Sequence, residues 1–323
     1  MRKCLLKKIV ISAFTVLLFL GIGTVEAKAG TDKNSPEEIP VTYGETIRSA
    51  EAQSVAYTKT YSWKSGNGED PAPQDYAKFT LPEKSFVKIF TSWTTDTSYA
   101  LPTGENDVYI YSNPGYTTEL GKTDFNIYMN SPVYLELDAG TYYVRTSVKS
   151  AHSFSYSFTG NIMVCAVKDK DGIQIQQKNG KNQKSVTVSF QAAGLEGVQS
   201  VRIWEGSAAG SWWGGTDVTD GKFVATKNGT YTAGIETGVG LKVYRTFKVT
   251  GVDTTKPTVK GVKNGKAYKQ VTIKFSDKGS GIKKATLNGK TIKTGTKVGE
   301  KGKYTLKVWD KAGNLQVITF QIK

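Results

Sequence analysis

Histidine, cysteine and methionine are scarce in this sequence, and the first two shortages each exclude a class of site. The 323 residues include one histidine, two cysteines and three methionines. His152 alone cannot build a structural zinc site, which needs four Cys or His ligands, so no metal site is assigned. Cys4 lies in the N-terminal segment that is predicted to be removed as a signal peptide, which leaves Cys165 without an intramolecular disulfide partner. Cys165 stands in the apolar run IMVCAV and is predicted to be a small buried residue.

Long apolar runs are missing apart from the one that opens the chain. Residues 9–20 form an apolar run of 12 residues, which follows a basic start and precedes small residues at Ala27 and Ala29. This pattern predicts a secretory signal peptide over residues 1–29. The run is too short for a comfortable membrane span. We therefore expect an exported chain, secreted or associated with the cell surface, without membrane insertion after cleavage.

Acidic residues are few, and arginine is absent, in the C-terminal part of the chain. Residues 251–323 contain 17 lysines and 4 acidic residues, a net charge of +13, whereas residues 30–250 have a net charge of −2. Arginine is expected where phosphates or bases are gripped by paired hydrogen bonds, so nucleic acid is not an expected partner. The lysines either keep a solvated face soluble or attract the protein to an anionic cell envelope.

Catalytic motifs are also absent. There is no Gly-x-Ser-x-Gly elbow, no His-Glu-x-x-His pair and no phosphate-binding loop, so no catalytic residue is assigned. Residues 169–172 (DKDG) contain only part of a calcium loop and are predicted to form a turn at a domain junction. Glycoside hydrolysis needs only two carboxylates at a set separation. A secreted glycoside-active or accessory hydrolytic enzyme therefore remains the alternative, and it predicts a cleft with two close carboxylates within residues 30–166.

Short alternating strands are what the chain has in abundance. In YAKFTLPEKSFVKIF, Phe79 and Leu81 alternate with polar neighbours before a turn at Pro82. Turn signals recur every 8–12 residues or so, which is typical of a β-sandwich. We predict such a sandwich over residues 41–166, behind a flexible leader at residues 30–40.

Three sequence motifs occur in this region in a characteristic order. They are DYAKFTLPEKSFVKI, NDVYIYSNPG and LELDAGTYYVRTS, and with them the region resembles the bacterial pre-peptidase C-terminal family. The resemblance implies a jelly-roll-like sandwich that accompanies secreted enzymes and surface proteins, some of which bind calcium or polymeric substrates. Calcium is therefore possible, although Glu69, Asp70 and Asp75 show no clear ligand pattern. The association also suggests an inhibitor or chaperone-like partner of a secreted protease.

Residues 167–323 contain one unit twice. KNGKNQKSVTVSF matches KNGKAYKQVTIKF at an offset of 85, GVQSVRIWEG matches GIKKATLNGK at 84, and KNGTYTAGI matches EKGKYTLKV at 73. The repeat predicts two domains of one fold, at residues 167–250 and 251–323. The offsets differ because the first copy has 11 more residues between Gly206 and Lys227.

The C-terminal copy contains TKPTV, SDKGSGI, LNGK, GKYTL and DKAGN in order. With this series it resembles bacterial immunoglobulin-like surface domains, which implies an extracellular spacer or adhesive role that is typically non-enzymatic. Pro257 is predicted to begin a strand, and Asn288-Gly289 is predicted to be a two-residue hairpin turn.

A glycine followed by a tyrosine two residues later leads into a late strand in each of the three predicted domains. The tyrosines are Tyr142, Tyr231 and Tyr304. This is the corner-tyrosine position of immunoglobulin-like sandwiches, where the hydroxyl bonds a nearby backbone group.

The 11-residue insertion contains the best candidate binding site. Trp212 and Trp213 lie within it, close to Trp204, which stands where the other copy has Asn288. Burial of a large aromatic side chain contributes roughly 1.5–3 kcal/mol, so an exposed pair is unfavourable without a partner. Either one ring covers the end of the sandwich while the other packs on Trp204, or the rings form a platform for sugars or a partner protein.

These observations predict an all-β chain of three tandem β-sandwich domains, one jelly-roll-like and two immunoglobulin-like. We expect an exported, non-catalytic, monomeric protein with no assigned cofactor. Its expected partner is a cell-wall or extracellular polysaccharide or a matrix protein, bound through Trp204, Trp212 and Trp213.

Overall fold

The computed structural model describes residues 32–54, 57–63, 74–95, 106–124, 131–148, 156–178 and 183–323. The predicted signal peptide, His152, Glu69 and Asp70 lie outside these ranges. Strands and connecting loops make up almost all of the described chain, with two short α-helices, so the predicted all-β class is confirmed. Neither of these helices has the length and apolar composition needed to cross a membrane.

Two facing sheets form the first module. Its elements are β1 (Glu37–Glu38), β2 (Val41–Tyr43), α1 (Ile47–Ala52), β3 (Tyr57–Trp63), β4 (Gln74–Leu81), β5 (Ser85–Thr95), β6 (Asn106–Tyr111), β7 (Glu119–Asp124), β8 (Val133–Leu137), β9 (Gly140–Val148) and β10 (Tyr156–Lys168). One sheet has the order β1-β4-β9-β6-β7 and the other β2-β10-β5-β8, with β3 also paired to β10. The predicted alternation holds in β4, where Phe79 and Leu81 are buried in the core between the sheets. Cys165 on β10 is fully buried, as predicted.

The middle module is a second pair of sheets. Its elements are α2 (Asp169–Gly172), β11 (Gln174–Lys178), β12 (Val186–Gln191), β13 (Val198–Glu205), β14 (Thr216–Val218), β15 (Lys222–Ala225), β16 (Gly229–Thr237) and β17 (Lys242–Val249). The sheets have the orders β11-β12-β15 and β14-β13-β16-β17. Alternate residues of β12, β13 and β16, such as Val188, Ile203 and Ile235, fill the space between them.

The C-terminal module repeats this arrangement with one additional edge strand. Its strands are β18 (Thr258–Lys260), β19 (Lys266–Tyr268), β20 (Val271–Ser276), β21 (Ile282–Leu287), β22 (Lys290–Thr291), β23 (Thr296–Val298), β24 (Gly302–Asp310) and β25 (Leu315–Ile322). The sheets have the orders β18-β20-β23 and β19-β25-β24-β21-β22, in which β19 is the additional edge strand. Pro257 directly precedes β18, and Asn288-Gly289 joins β21 to β22 with both residues at positive φ, 47° and 84°. Both predictions are therefore confirmed, and the second is the geometry of a type I′ turn.

The three corner tyrosines make one and the same hydrogen bond. Each hydroxyl donates to the backbone carbonyl four residues earlier at 2.9 Å, and the donors are Tyr142, Tyr231 and Tyr304. This fixes the loop that enters the late strand in every module, and it confirms the role predicted from the repeated Gly-x-Tyr pattern.

The first and middle modules share apolar and ionic contacts. Ile47 of α1 and Phe86 of β5 belong to the same buried cluster as the middle core. Arg245 of β17 forms ion pairs with Glu136, at 2.8 Å, and with Asp169 at the start of α2. The turn predicted at residues 169–172 is α2, a single helical turn between the first and middle modules.

Candidate functional site

The four-stranded sheet of the middle module has an outer face as well as a core face. On β13, Val201 and Ile203 point into the core, and so Arg202 and Trp204 lie on the outer face. Pairing across the sheet aligns Arg202 with Gly234 of β16 and, beyond it, Tyr244 of β17. The outer face therefore receives residues from three strands.

Four aromatic side chains gather on this face, and we call Trp204, Trp212, Trp213 and Tyr244 the aromatic face. The loop after β13 carries a short 3₁₀ turn at Trp212–Gly214, which brings Trp212 back over the sheet. The ring centroid of Trp212 is 6.4 Å from that of Trp204 and 6.2 Å from that of Tyr244, and the Trp204 and Tyr244 centroids are 6.1 Å apart. These separations and tilted orientations are those of favourable aromatic pairs.

Two glycines make room for the rings. A Cβ atom on Gly234 would lie 2.8 Å from Trp212 and 3.0 Å from Trp204, and one on Gly215 would lie 2.7 Å from Trp204. The repeat aligns Gly234 with Lys307 at the offset of 73, so this fold accepts a side chain at that position. The glycine at residue 234 is therefore required by the rings and not by the sheet.

Charged groups border the aromatic face. The Lys242 ammonium lies 4.7 Å from the ring centroid of Trp212, and the Arg202 guanidinium lies 5.2 Å from that of Trp213. These are cation–π distances. Arg202 also donates to the Gly215 carbonyl at 3.3 Å and lies 3.6 Å from the Asp217 carboxylate, so its guanidinium is held in place.

The rings differ in their access to solvent. Trp213 is 80% exposed and Tyr244 43% exposed, while Trp204 and Trp212 are half-buried. The Trp204 Nε1 atom is buried and has no hydrogen-bond partner in the described chain. Trp204 and Trp212 are thus the base of the aromatic face, and Trp213 is its projecting edge.

The structure corrects one of the two interpretations of these tryptophans. Trp212 does pack on Trp204, but neither ring of the pair at residues 212–213 covers the end of the sandwich, because the insertion folds over the outer face of the sheet. Sequence reasoning found the three tryptophans and missed Tyr244, Gly234 and the two flanking cations. The internal repeat could have indicated Gly234, since the other copy has a lysine there.

The two most buried acids of the described part of the first module lie on opposite faces of one sheet. Asp75 lies two residues before the core residue Ala77 on β4, so its side chain points to the core face. Asp107 directly precedes the core residue Val108 on β6, so its side chain points to the other face of the same sheet. Asp107 accepts a hydrogen bond from the Tyr109 hydroxyl at 2.7 Å. The two carboxylates therefore face opposite sides of one sheet and do not form the acid pair that the enzyme alternative requires.

One group of carboxylates in the described chain is close enough to share a cation. Oxygens of Asp253, Asp277 and Asp310 lie within 4.8 Å of one another where the middle and C-terminal modules join. Burial works to raise the pKa of Asp253, but hydrogen bonds from Ser280 and from the Thr255 amide outweigh it and hold the pKa below its ordinary value. The signals for this group were the aspartates of SDKGSGI and DKAGN.

Backbone and amide donors already engage all three of these carboxylates. Asn314 donates to both oxygens of Asp310 at 2.7 Å and to the Asp253 carbonyl at 2.8 Å. Gly279 packs directly against the Asp253 side chain. These bonds account for the group as a brace of the module junction.

Comparisons with known proteins give no family model and no curated protein that matches this sequence. Among solved structures, the chain is similar to the pre-peptidase C-terminal domain of a collagenase from Bacillus anthracis, at 13% identity and a TM-score of 0.24, over 40% of this chain and 98% of that one. It is also similar to the insect immune protein hemolin, at 13% identity and a TM-score of 0.22, over 82% and 76%. The adhesin domain of Epf from Streptococcus pyogenes is similar at 10% identity and a TM-score of 0.21, over 59% and 76%. At these identities the likeness concerns the fold alone.

Proposed function

We propose that this protein is a non-catalytic, exported binding protein whose middle module binds an extracellular glycan on the aromatic face. The observation that carries the proposal is the solvent-exposed indole of Trp213, which lies 5.2 Å from the Arg202 guanidinium and directly follows Trp212 of the ring cluster. Sugar rings have apolar faces that stack on flat aromatic surfaces, and exposed apolar patches on soluble proteins often mark such binding sites.

The size of the patch favours a sugar chain over a partner protein. A tryptophan side chain presents about 150–250 Å², so one largely exposed indole with the accessible part of Tyr244 offers on the order of 300 Å² of apolar area. A stable protein interface needs about 800 Å² from each partner. A polysaccharide can use a small patch repeatedly along its length, because many weak contacts on one polymer add avidity.

The border of the aromatic face supplies polar groups suited to hydroxyls. Arg202 lies beside Trp213 and is paired with Asp217, while Lys242 lies beside Trp212, 3.9 Å from the Glu236 carboxylate. Hydrogen bonds to such groups orient a ligand that stacking alone holds loosely. The mostly buried Arg202 side chain is already held by its bond to the Gly215 carbonyl and by Asp217, so it has little conformational freedom to lose on binding.

Binding to a glycan array by the full chain tests this proposal. We expect wild type to bind a limited set of glycans and the Trp212→Ala/Trp213→Ala variant to lose that binding. The matched control is Trp309→Ala in the C-terminal module, where Lys284 lies 4.7 Å from the indole centroid; it should bind as wild type does. Equal binding by wild type and the double variant would reduce the aromatic face to a packing feature.

A further inference from the structure

The lysines of the C-terminal module are unusually free of counter-charges. All 17 are exposed, and residues 251–323, which are described without a gap, show no salt bridge to any of them. Three of the module's four acidic residues are those of the junction group, and Glu300 is the fourth. Most of the module's carboxylates therefore lie at its junction with the middle module, and the rest of its surface is positively charged.

Three of these lysines converge on one sheet face. In the sheet β18-β20-β23, Lys260 stands directly opposite Lys274, and Lys297 stands opposite Thr272, two residues from Lys274 on the same strand. Val259, Ile273 and Val298 point into the core. The lysines therefore lie together on the outer face, and we call Lys260, Lys274 and Lys297 the lysine face.

This arrangement is unfavourable for the isolated fold. Directly opposed residues of an antiparallel pair have Cβ atoms about 5 Å apart, and like charges in that position destabilise a sheet. The middle module pairs Gln176 with Ser189 at the same place, as the offset of 85 and the strand register show. The fold is therefore complete without the Lys260–Lys274 pair, and an anion bound between the two ammonium groups would relieve their repulsion.

We infer that the lysine face binds a linear polyanion, a polymer with closely spaced phosphate or carboxylate groups. Neighbouring hydroxyls from Thr258, Thr272 and Ser276 lie on the same face and can donate to anionic oxygens. The face has no aromatic side chain on which a base could stack and no arginine, so it lacks the elements that nucleic acid recognition uses. This site is separate from the aromatic face, and each can fail without the other.

The test uses the full chain and the residues of its own sister module. Lys260→Gln/Lys274→Ser introduces the middle module's pair, and Lys303→Gln/Lys307→Ser removes the same two charges from the other sheet of this module. Dissociation constants are measured for inorganic polyphosphate, polygalacturonate and a single-stranded oligonucleotide over a range of salt concentrations, together with the urea midpoint of unfolding. The first two polymers distinguish phosphate from carboxylate as the source of the anion.

We expect Lys260→Gln/Lys274→Ser to weaken binding of polyphosphate or polygalacturonate about tenfold or more and to lower the salt dependence by about one to two counterions. Its urea midpoint should equal or exceed that of wild type, which excludes misfolding as the cause. The control variant should weaken binding less than about threefold, as the loss of net charge alone would. Equal losses in both variants, no loss in either, or binding to the oligonucleotide alone would each overturn the inference. Trp213→Ala should leave polyanion binding unchanged, which separates this result from the glycan proposal.

Discussion

Substitution of Gly234 by alanine tests whether the rings of Trp204 and Trp212 pack directly on the sheet at residue 234. Gly234 lies within β16, and its φ is outside the left-handed region. With space available, Gly→Ala at such a position stabilises a protein by about 0.4–1 kcal/mol, because it reduces the entropy of the unfolded chain. Here the added Cβ would meet Trp212 at 2.8 Å and Trp204 at 3.0 Å, which is closer than carbon atoms pack.

The rings must then move or the strand must bend. Overpacking of this kind costs about 1–3 kcal/mol, so after the entropic gain the net destabilisation is on the order of 1 kcal/mol and at most about 2.5 kcal/mol. For a domain of this size, each kcal/mol lowers the midpoint of thermal unfolding by about 4–8 °C. Displaced indoles should also shift the tryptophan fluorescence of the folded protein.

The matched control is Gly229→Ala on the same strand. A Cβ atom there has its nearest neighbour, Tyr231, at 3.7 Å, so it makes an ordinary contact and should leave the midpoint unchanged or raise it slightly. Thermal unfolding followed by fluorescence and by circular dichroism compares the two variants. If Gly234→Ala is as stable as Gly229→Ala, with unchanged fluorescence, the rings of Trp204 and Trp212 do not lie over residue 234.

Three further predictions concern single side chains. Tyr231→Phe should destabilise the middle module by about 1 kcal/mol through loss of its corner hydrogen bond; an unchanged urea midpoint would contradict this. Burial raises the pKa of Cys165 to about 11, so a thiol reagent at pH 8 should modify it only after unfolding, and rapid labelling of the native protein would refute its burial. The hydrogen bond to Asp107, with burial, raises the pKa of Tyr109 to about 12, and burial raises that of Tyr116 to about 12. Because both values exceed the ordinary one near 10, the stabilisation from these two groups is present below about pH 10 and is lost as the pH rises towards 12. A spectrophotometric titration in which every tyrosine ionises near pH 10 would contradict these environments.

Local rules carried the sequence analysis through most of the fold. Period-two alternation placed Phe79 and Leu81 in the first core, and the Asn288-Gly289 pair specified its hairpin, because only residues that tolerate positive φ fit a type I′ turn. The corner tyrosines were predictable because the Gly-x-Tyr pattern repeats in all three modules. Each hydroxyl then reaches the carbonyl four residues earlier in the chain. Each of these features depends on residues that are close together in the sequence.

The features that escaped prediction depend on contacts between distant strands. Tyr244 joins the tryptophans only because the register of β13, β16 and β17 aligns it with Arg202 across Gly234. The insertion with Trp212 has no counterpart in the sister module, so no repeat indicated which surface it would cover. Likewise, the contact of Arg245 with Glu136 links residues 109 positions apart, and no local pattern records it.

The most direct test of the central claim is the affinity of the full chain for its strongest glycan from the array, measured by calorimetry for wild type, Trp213→Ala and Trp213→Tyr. Stacking on an exposed ring contributes roughly 1–2 kcal/mol, by analogy with other aromatic contacts. Trp213→Ala should therefore raise the dissociation constant about tenfold, while Trp213→Tyr should retain most of the affinity. Unchanged unfolding midpoints are expected, because the Trp213 ring is 80% exposed. Identical dissociation constants for wild type and Trp213→Ala would contradict the account.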